Sequence, residues 1–593
     1  MRKTTRWKYR DFGLPEAREQ VAEYASNIGV IDPVGAILLN RSLDSKKKAK
    51  DFFNPELEQL WDPFVMADMK KGISLVNDVV QSGKTILIFG DYDVDGTAGS
   101  ALLTWFFRDN NVPVDYYIPD RETEGYGLSR QGIDRAKEID AGLIITCDCG
   151  INAFEEINYA SSLNIPVIIT DHHRPGEELP GAFAVLNPNR PDCDYPFKGL
   201  AGCGVAFKFA QGMCRSFQDS SLSAIADWNE ERLFTHLDLV ALATAADMVP
   251  VVGENRILTS RGVEQLHYSN KPGVRALLSV SGLDQKINEG KGLNVGNIVF
   301  QIAPRINAVG RLGSATRAVD LLTTKSRKEA KAFAKILDQE NTERRKIEQE
   351  THDSAIYQIQ SKYPSLTSDG QRAIVIWDDD WHQGVIGIVA SKLKEKFNVP
   401  VVVISLTDGL GKGSARSIYG FDLYDAFTEC EEFFENYGGH AMAAGISIKK
   451  DSIEAFEQQF QDIAKREISD EMLIPSLTLD TDIQFRHIGS QLMQMLERLG
   501  PYGPGNMRPV FGARNLQVTG LPRIVGENHV KFKVKQGRTL LDAIAFQMAE
   551  YYELLIKNEP VDLAFVVEKN EWNGRKYTQL NVRDIVLSSE NPY

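Results

Sequence analysis

Cysteine is scarce in this chain, with six in 593 residues. So few thiols over such a length do not form the disulfide framework that holds small secreted proteins together. Long apolar runs are also missing, which excludes a membrane-spanning helix of the usual length. The basic start, Met1–Arg10, is not followed by the apolar core of a signal peptide. We therefore expect a cytoplasmic protein with reduced cysteines and no membrane partner.

An excess of positive charge is missing as well, because the formal net charge is −14. This argues mildly against a nucleic-acid partner, but a phosphate-binding protein needs positive potential only along the path of the strand. The run Lys46–Lys50 is predicted to be a solvated helix face. The basic residues in glycine-rich or polar surroundings, where a nucleic-acid backbone could approach, are Arg121, Arg305, Arg311, Arg416 and Arg508.

Three carboxylates, spaced two residues apart, follow a short apolar run. The run Ile86–Phe89 predicts a buried strand, and Thr97–Trp105 predicts the helix after it. This order places the connecting loop in the crevice where open α/β sheets bind ligands. Carboxylates crowded together there would repel one another, which indicates a divalent cation with oxygen ligands. The three acids are Asp91, Asp93 and Asp95.

The same pattern occurs twice more along the chain. The predicted strand Leu143–Thr146 leads to Asp148, and a second predicted strand, Ile165–Thr170, leads to another acid and a histidine pair. Histidine beside aspartate suits Mn²⁺, Fe²⁺ or Zn²⁺ as well as Mg²⁺. The residues after the second strand are Asp171, His172 and His173.

Two further features belong to this acidic group. The apolar segment Leu237–Asp247 ends in a carboxylate, which would be costly to bury unless it is paired or bound to a metal. Cys147 and Cys149 flank Asp148 and admit two interpretations. They lie near enough to ligate a metal, but packing as small apolar side chains that point away from the acid is the favoured interpretation.

Sequence motifs in a fixed order carry a family resemblance. The first half contains GDYDVDGTAG, IPDRETEGYGLS, TCDCGI, TDHH and LDLVALATAADMVPV, which resemble the successive motifs of the DHH phosphoesterase superfamily. Together with further motifs in the second half, they make the chain similar, from roughly residue 80 to the end, to the RecJ family of single-strand-specific DNA exonucleases. The cysteines around Asp148 depart from the family pattern, which has an aliphatic residue before the acid and often Asn after it. The later motifs are AGCGVAFKF, QIAPRINAVGRL, WHQGVIGIVASKLKEKF, GKGSARS, GGHAMAAG and GPGNMRPVF.

The resemblance implies a hydrolase that removes nucleotides from single-stranded DNA in the 5′ to 3′ direction, in DNA repair and recombination. Two Mn²⁺ or Mg²⁺ ions about 3.5–4 Å apart would activate the attacking water and stabilise the leaving oxygen. His173 is a further catalytic residue, either as a ligand or against the scissile phosphate, and Asp171 would orient an imidazole. The expected metal ligands are Asp91, Asp93, Asp95, Asp148, His172 and Asp247.

The resemblance also implies residues that hold the DNA and proteins that cooperate with the enzyme. Arg121 would meet the 5′ phosphate. The expected partners are single-stranded DNA, a helicase and a single-strand-binding protein, and the chain is expected to act as a monomer. The other expected substrate-binding residues, across a cleft between domains, are Arg305, Asn307, Arg311, Ser414, Arg416 and His440.

The predicted fold is two α/β domains, DHH and DHHA1, joined by a long helix and followed by an OB-like β-barrel. The stretch from Ser326 to Lys362 has no Gly or Pro and predicts the helix. Alternation in Val530–Val534 and Leu563–Val567 predicts short half-buried strands of a small barrel, in which Phe532, Trp572 and Tyr577 are stacking or core residues. The expected boundaries are 1–75 for an N-terminal segment, 76–250 for DHH, 251–325 for a helical part of the core, 326–362 for the helix, 363–472 for DHHA1 and 473–593 for the barrel.

Two alternative functions remain at this stage. One is a phosphoesterase of the same superfamily that acts on pyrophosphate, short oligonucleotides or cyclic dinucleotides. The predicted barrel and the extended set of basic residues disfavour it. The other is a DNA-binding replication scaffold without catalysis, which is disfavoured because every expected acid and both histidines are present.

Overall fold

The chain passes four times between two structural units of the computed structural model. The model describes residues 5–121, 123–217, 228–364, 366, 370–557, 559–572 and 575–591. We call Tyr24–Asn341 with Ser490–Arg508 the parallel-sheet unit. We call the remainder the barrel unit, and it consists of Met1–Glu23, Thr342–Gly489 and Pro509–Tyr593.

The N-terminal region contributes to both units. Strand β1 (Arg6–Tyr9) pairs in parallel with Ser476–Leu479 of the barrel unit. Buried Trp7 donates its indole N–H to Asp584, at 2.7 Å. The lysines of α3 are exposed and Ala49 is buried, which confirms the predicted solvated face. The helices of this region are α1 (Arg18–Ile28), α2 (Asp32–Leu39), α3 (Lys46–Phe53) and α4 (Met69–Ser82).

A five-stranded parallel sheet is the centre of the parallel-sheet unit, with strand order β3-β2-β4-β5-β6. Strands β2, β4, β5 and β6 are mainly apolar and buried because helices cover both faces of a parallel sheet, whereas the edge strand β3 is half-buried. Gly90 pairs with Cys147, and Cys147 pairs with Thr170, so the predicted strands end at one level. The elements are β2 (Thr85–Gly90), α5 (Val94–Asp109), β3 (Val114–Tyr117), α6 (Arg130–Glu138), β4 (Ala141–Cys147), α7 (Phe154–Ser162), β5 (Val167–Thr170) and β6 (Ala184–Leu186).

Helices complete this unit, as the sequence predicts for residues 251 to 324. Helix α10 is buried from Leu237 to Ala245, and Asp247 is its C-cap. A single π-helical turn, Ile298–Ile302, precedes α15. The helices are α8 (Gly202–Phe217), α9 (Glu230–Phe234), α10 (Leu237–Ala246), α11 (Gly253–Tyr268), α12 (Pro272–Val280), α13 (Leu283–Asn288), α14 (Val295–Asn297), α15 (Ala303–Leu312) and α16 (Thr316–Thr323).

The predicted long helix is present as α17 (Arg327–Lys362), of 36 residues, and the boundary between the units falls within it. A second α/β layer follows, with strand order β10-β11-β9-β8-β7, in which β7 and β8 run parallel. No helix of the described residues has the length and apolar character needed to cross a membrane. The elements are β7 (Ile374–Asp378), α18 (Ile386–Phe397), β8 (Val401–Thr407), β9 (Leu410–Arg416), α19 (Leu423–Thr428), β10 (Phe434–His440), β11 (Ala443–Lys449) and α20 (Ile453–Glu467).

The C-terminal strands form the predicted closed barrel, because β14 pairs with both β15 and β17. Phe532 faces the barrel core and is 3% exposed. Tyr577 is half-buried, and the side chain of Trp572 lies outside the described residues. The elements are β12 (Ser476–Leu479), β13 (Thr481–Asp482), α21 (Ser490–Leu499), β14 (Phe511–Val525), β15 (His529–Gln536), β16 (Thr539–Ala545), α22 (Tyr552–Leu555), β17 (Val561–Trp572) and β18 (Arg575–Leu587).

Candidate metal centre and substrate-binding residues

The predicted acids lie at the carboxyl ends of neighbouring strands. Asp91 follows β2, Asp148 follows β4 and Asp171 follows β5. Asp93 caps the N-terminus of α5, where its side chain accepts the N–H groups of Asp95 and Gly96. The sheet register therefore gathers residues that are distant from one another in sequence.

The start of α8 holds Asp95 in place. Its two carboxylate oxygens accept the backbone N–H groups of Gly202 and Cys203, at 2.6 and 2.8 Å. A helix N-terminus favours negative charge. A Cβ at Gly202 would lie 2.6 Å from the Cβ of Asp148, so only glycine allows this approach.

The ligand atoms converge on His172. Its Nε2 lies 3.1 Å from Asp148 Oδ1, 3.6 Å from Asp247 Oδ2 and 3.8 Å from Asp95 Oδ2. Burial and the charge on His173 lower the pKa of His172 to about 4, so its imidazole is neutral. The backbone of Leu200 acts to raise this pKa, but burial and His173 dominate, and Nε2 faces carboxylate oxygens.

Acceptor atoms this close repel one another unless a proton or a cation lies between them. Four such buried atoms have no hydrogen-bond partner, and they belong to Asp91, Asp148, His172 and Asp247. Two groups can each surround one ion, namely Asp91 with Asp93 and Asp148, and Asp95 with His172 and Asp247. Asp148 also forms a third group with His172 and His173, which makes it the natural bridge. This donor set fits two divalent cations.

The electrostatics of the cluster agree with this assignment. Burial and the nearby Asp93 raise the pKa of Asp91 to about 8. Burial, Asp95 and Asp93 raise the pKa of Asp247 to about 9. The pKa of Asp148 is raised in the same way, by burial and the adjacent carboxylates. Without a cation the cluster is therefore costly to ionise, and a bound cation would remove that cost.

His173 differs from its neighbour in charge. Burial acts to lower its pKa, but the hydrogen bond from Nδ1 to Asp171, at 2.8 Å, and the charges of Asp171, Asp247 and Asp95 together outweigh burial and raise the pKa to about 9. Burial acts to raise the pKa of Asp171, but its bonds with His173 and the Ile151 N–H keep that pKa low. The pair thus places an imidazolium at the rim of the centre.

Tyr126 is a site residue that the sequence interpretation missed. Its hydroxyl donates to the Asp148 carbonyl, at 3.1 Å, and lies 3.3 Å from His173 Nδ1. The sequence signal that could have identified it is its position between two glycines, Gly125 and Gly127. Both glycines adopt positive φ in the structure, and the Tyr126 side chain between them is exposed.

The structure places both cysteines of the TCDC motif in apolar cores. Cys147 packs in the main cluster of the parallel-sheet unit, and Cys149 packs in a separate cluster that contains Phe89. None of the ligand groups found among the described residues contains a cysteine.

Three predicted substrate-binding residues lie near the acidic loop. Exposed Arg121 stacks over Tyr92, at 5.2 Å from the ring centroid. The Asn307 side chain accepts a hydrogen bond from the Val94 N–H at 3.2 Å. The positive charge of Arg311 acts to lower the pKa of Tyr92, which burial raises. Arg305 instead donates to Asp338 and to the carbonyls of Gln301 and Val280.

The other predicted substrate-binding residues lie on the sheet of the barrel unit. Arg416 on β9 donates to Ser414, at 3.1 Å, and to Ser391, at 3.2 Å. Ala443 pairs with both Arg416 and His440, so Arg416 and His440 occupy one row across three strands.

Comparison with known proteins assigns the chain to a family. Three family models match, namely the DHH family N-terminal domain at residues 85–244, the DHHA1 domain at 370–466 and the RecJ OB domain at 479–584. The single-stranded-DNA-specific exonuclease RecJ of Bacillus subtilis strain 168 is 34% identical over 574 residues, which cover 96% of this chain and 70% of the relative. The chain belongs to the RecJ family.

Solved RecJ structures share this fold and contain metals. RecJ from Thermus thermophilus in complex with Mn²⁺ matches with a TM-score of 0.80 and 27% identity, covering 99% of this chain and 80% of the other. The same RecJ in complex with Mg²⁺ matches with a TM-score of 0.75 and 25% identity, covering 98% and 78%. The family assignment and the fold therefore agree with the expectation from the motifs.

Proposed function

We propose that this protein is a metal-dependent exodeoxyribonuclease that degrades single-stranded DNA in the 5′ to 3′ direction, in DNA repair and recombination. The observation that carries the proposal is the convergence of buried acceptor atoms without hydrogen-bond partners on His172 Nε2, with Asp148 Oδ1 at 3.1 Å. The names of the RecJ relatives supply the substrate class. The six buried, unpaired cysteines support action in a reducing cytoplasm.

In the proposed mechanism, the two ligand groups hold Mn²⁺ or Mg²⁺, which would activate a water and stabilise the leaving oxygen. Asp148 joins the two groups. Asp95 is oriented by α8, and Asp171 keeps His173 protonated. The resulting imidazolium attracts the negative phosphate to the centre.

The acidic loop has a neighbouring phosphate site in this proposal. Arg121 binds the 5′ phosphate, because its guanidinium is exposed and held against Tyr92. Asn307 and Arg311 follow along α15. For Arg305 to contact DNA, it would have to exchange one of its bonds to Asp338 or to the two carbonyls.

The sheet of the barrel unit binds further nucleotides in this proposal. Gly438 pairs with Gly445, which pairs with Ser414, so this row has almost no side chains. A Cβ at Gly438 would meet nothing within 4 Å. A sugar or base can approach such a bare sheet closely, beside the charged Arg416 and the exposed His440.

The outer face of the barrel guides the rest of the strand. Lys531, Lys533 and Lys535 alternate with the buried residues of β15, and Arg523 pairs with Lys531 across the ladder. The Lys531 ammonium lies 5.9 Å from the Tyr577 ring. A row of basic side chains beside a half-buried aromatic ring suits the binding of single strands without sequence preference. We propose that a helicase and a single-strand-binding protein deliver this strand to the monomeric enzyme.

The test is directional hydrolysis. Single strands labelled at the 5′ or the 3′ end are incubated with Mn²⁺ or Mg²⁺, and the products are sized over time. The proposal requires that the 5′ label appear at once in mononucleotides while the 3′-labelled strand shortens progressively. Early release of the 3′ label would reverse the direction. Inert DNA together with rapid cleavage of pyrophosphate or dinucleotides would establish the small-substrate phosphoesterase instead.

A further inference from the structure

The segment Ser490–Arg508 interrupts the barrel and belongs to the parallel-sheet unit. It lies inside the region that the RecJ OB model matches, between β13 and β14. Its last turn, Gly503–Asn506, is closed by mutual backbone hydrogen bonds between Gly503 and Asn506.

Buried polar side chains fix this segment in place. Arg256 of α11 is 2% exposed and donates to the carbonyls of Arg498 and Leu499, at 3.0 and 2.9 Å. Asn506 is fully buried and donates to the carbonyls of Leu499 and Pro501, at 2.9 and 2.7 Å. Groups satisfied in this way cannot shift without leaving buried donors unpaired.

The fixed turn contacts the loop that follows the ligand Asp247. The Val251 N–H donates to the Pro504 carbonyl at 2.7 Å. A Cβ at Gly503 would lie 2.4 Å from Val251 Cγ2, and a Cβ at Gly505 would lie 3.3 Å from the Pro250 Cβ. The turn therefore packs so closely against Val251 that a side chain at position 503 would clash.

The contacted loop is strained and needs external support. Met248 adopts φ +62°, and its side chain is 67% exposed, so the side chain contributes little packing to stabilise this conformation. Left-handed backbone at a non-glycine residue persists only where the surroundings impose it. The Pro504–Val251 bond is a support of that kind.

Asn255 links this loop to the second ligand loop. Its side-chain amide donates to the carbonyls of Pro250, at 3.0 Å, and Gly199, at 2.5 Å. The Gly199 loop continues into Gly202, which holds Asp95, and contains Leu200, whose backbone interacts with the His172 ring. Asn255 therefore joins the backbones that position all members of the group Asp95, His172 and Asp247.

We propose that the turn Gly503–Asn506 and Asn255 are positioning elements for one of the two metal sites, the group Asp95, His172 and Asp247. In this proposal, the turn and Asn255 contact neither substrate nor metal. They determine the position of the Asp247 carboxylate relative to Asp95 and His172. The inference rests on the proposed function only in that this group binds a divalent ion. It gives the interruption of the barrel a role in the metal centre.

The first test enlarges Gly503 and then shortens the Val251 side chain that it contacts. Mn²⁺ binding at the two sites is measured by titration calorimetry. Gly503→Ala should weaken Mn²⁺ binding by the group Asp95, His172 and Asp247 about 10- to 100-fold, the usual effect of losing a supporting contact around a metal. Binding by the group that contains Asp91 should be unchanged. Combining Gly503→Ala with Val251→Ala, which removes the clashing methyl groups, should restore most of the lost affinity. Gly489→Ala is the matched control, because a Cβ there meets nothing within 4 Å.

Kinetics separate positioning from strand capture. Gly503→Ala should lower kcat, with KM for single-stranded DNA unchanged, and the double variant should recover kcat. Two unchanged Mn²⁺ sites in folded Gly503→Ala would overturn the inference. A wild-type protein that binds no Mn²⁺ would instead overturn the proposed function.

Hydrogen exchange of the wild-type protein covers the outcome in which Gly503→Ala does not fold. Adding Mn²⁺ should slow exchange of the amides at 247–251 and also at 502–507, since the two segments share the Val251–Pro504 bond. Protection confined to the ligand loops, with 502–507 unaffected, would refute the positioning role without any substitution.

Discussion

Two adjacent residues show how much the surroundings of a side chain decide. His172 and His173 have the same intrinsic chemistry, yet the pKa of one is lowered to about 4 and that of the other is raised to about 9. Burial and the positive charge on His173 keep the first neutral, so it can ligate a metal. The second has Asp171 as its own counter-ion, at 2.8 Å, and stays charged.

At the residue scale, we predict that Asp148→Asn removes activity and leaves the fold intact. The change is nearly isosteric but deletes a carboxylate that belongs to two of the three possible ligand groups, so the rate should fall by a factor on the order of 10⁴. Burial and neighbouring charges raise the pKa of Asp148, so the ionised form costs stability in the metal-free fold at pH 8. The metal-free variant should therefore be at least as stable there as the wild type.

The measurements are strand hydrolysis and thermal unfolding, each with and without Mn²⁺. Asp115→Asn, which removes an exposed carboxylate paired with Arg135, is the control and should behave as wild type. Folded Asp148→Asn with near-normal turnover would rule out the shared-ligand mechanism.

At the scale of elements, regular alternation separates the two faces of β15. Val530, Phe532 and Val534 are buried, whereas the intervening lysines point outward. The alternation predicts a strand from sequence, but it does not tell a stacking aromatic residue from a core one. Burial decides that Phe532 belongs to the core.

We predict that the triple change of Lys531, Lys533 and Lys535 to Ala weakens binding of long single strands through electrostatics. Each lost phosphate contact should reduce the slope of log affinity against log salt by about 0.7, so the total change should be about 2. The matched control removes three charges from the solvated face of α3, by changing Lys46, Lys47 and Lys50 to Ala. If both triple variants showed the wild-type slope, the strand would not follow β15.

At the scale of the whole molecule, each unit contains a segment that sequence position would assign elsewhere. β1 pairs with Ser476–Leu479 in the barrel unit, far from its neighbours in sequence. Ser490–Arg508 lies within the barrel's sequence and packs in the parallel-sheet unit. Cutting the chain near residue 470 would remove the carbonyls that Arg256 binds, and so would leave a buried guanidinium without them.

We predict that Trp7→Ala destabilises the barrel unit by about 3–5 kcal/mol, because a fully buried indole is removed. Trp7→Phe keeps most of the volume but loses the N–H donor to Asp584, so it should cost about 1–3 kcal/mol. Hydrogen exchange resolved by segment measures both changes in β12 and β18. Equal loss of protection throughout α5 and α8 would contradict a barrel-specific role for β1.

Local sequence patterns were enough to predict several parts of this protein. Apolar runs that end in acids located the strands of the sheet and the candidate ligands Asp91, Asp148 and His172, because parallel strands in one sheet end at one edge. The absence of Gly and Pro located α17, and period-two alternation located the barrel strands.

Contacts between segments that are distant in sequence could be identified only in the folded protein. Trp7 and Asp584 are 577 positions apart, and no sequence pattern around either residue predicts the other as its partner. The same holds for Tyr126 beside His173, and for Pro504 beside Val251. Such contacts depend on close packing and on the satisfaction of particular buried polar groups, which are properties of the assembled fold and not of any short stretch of chain.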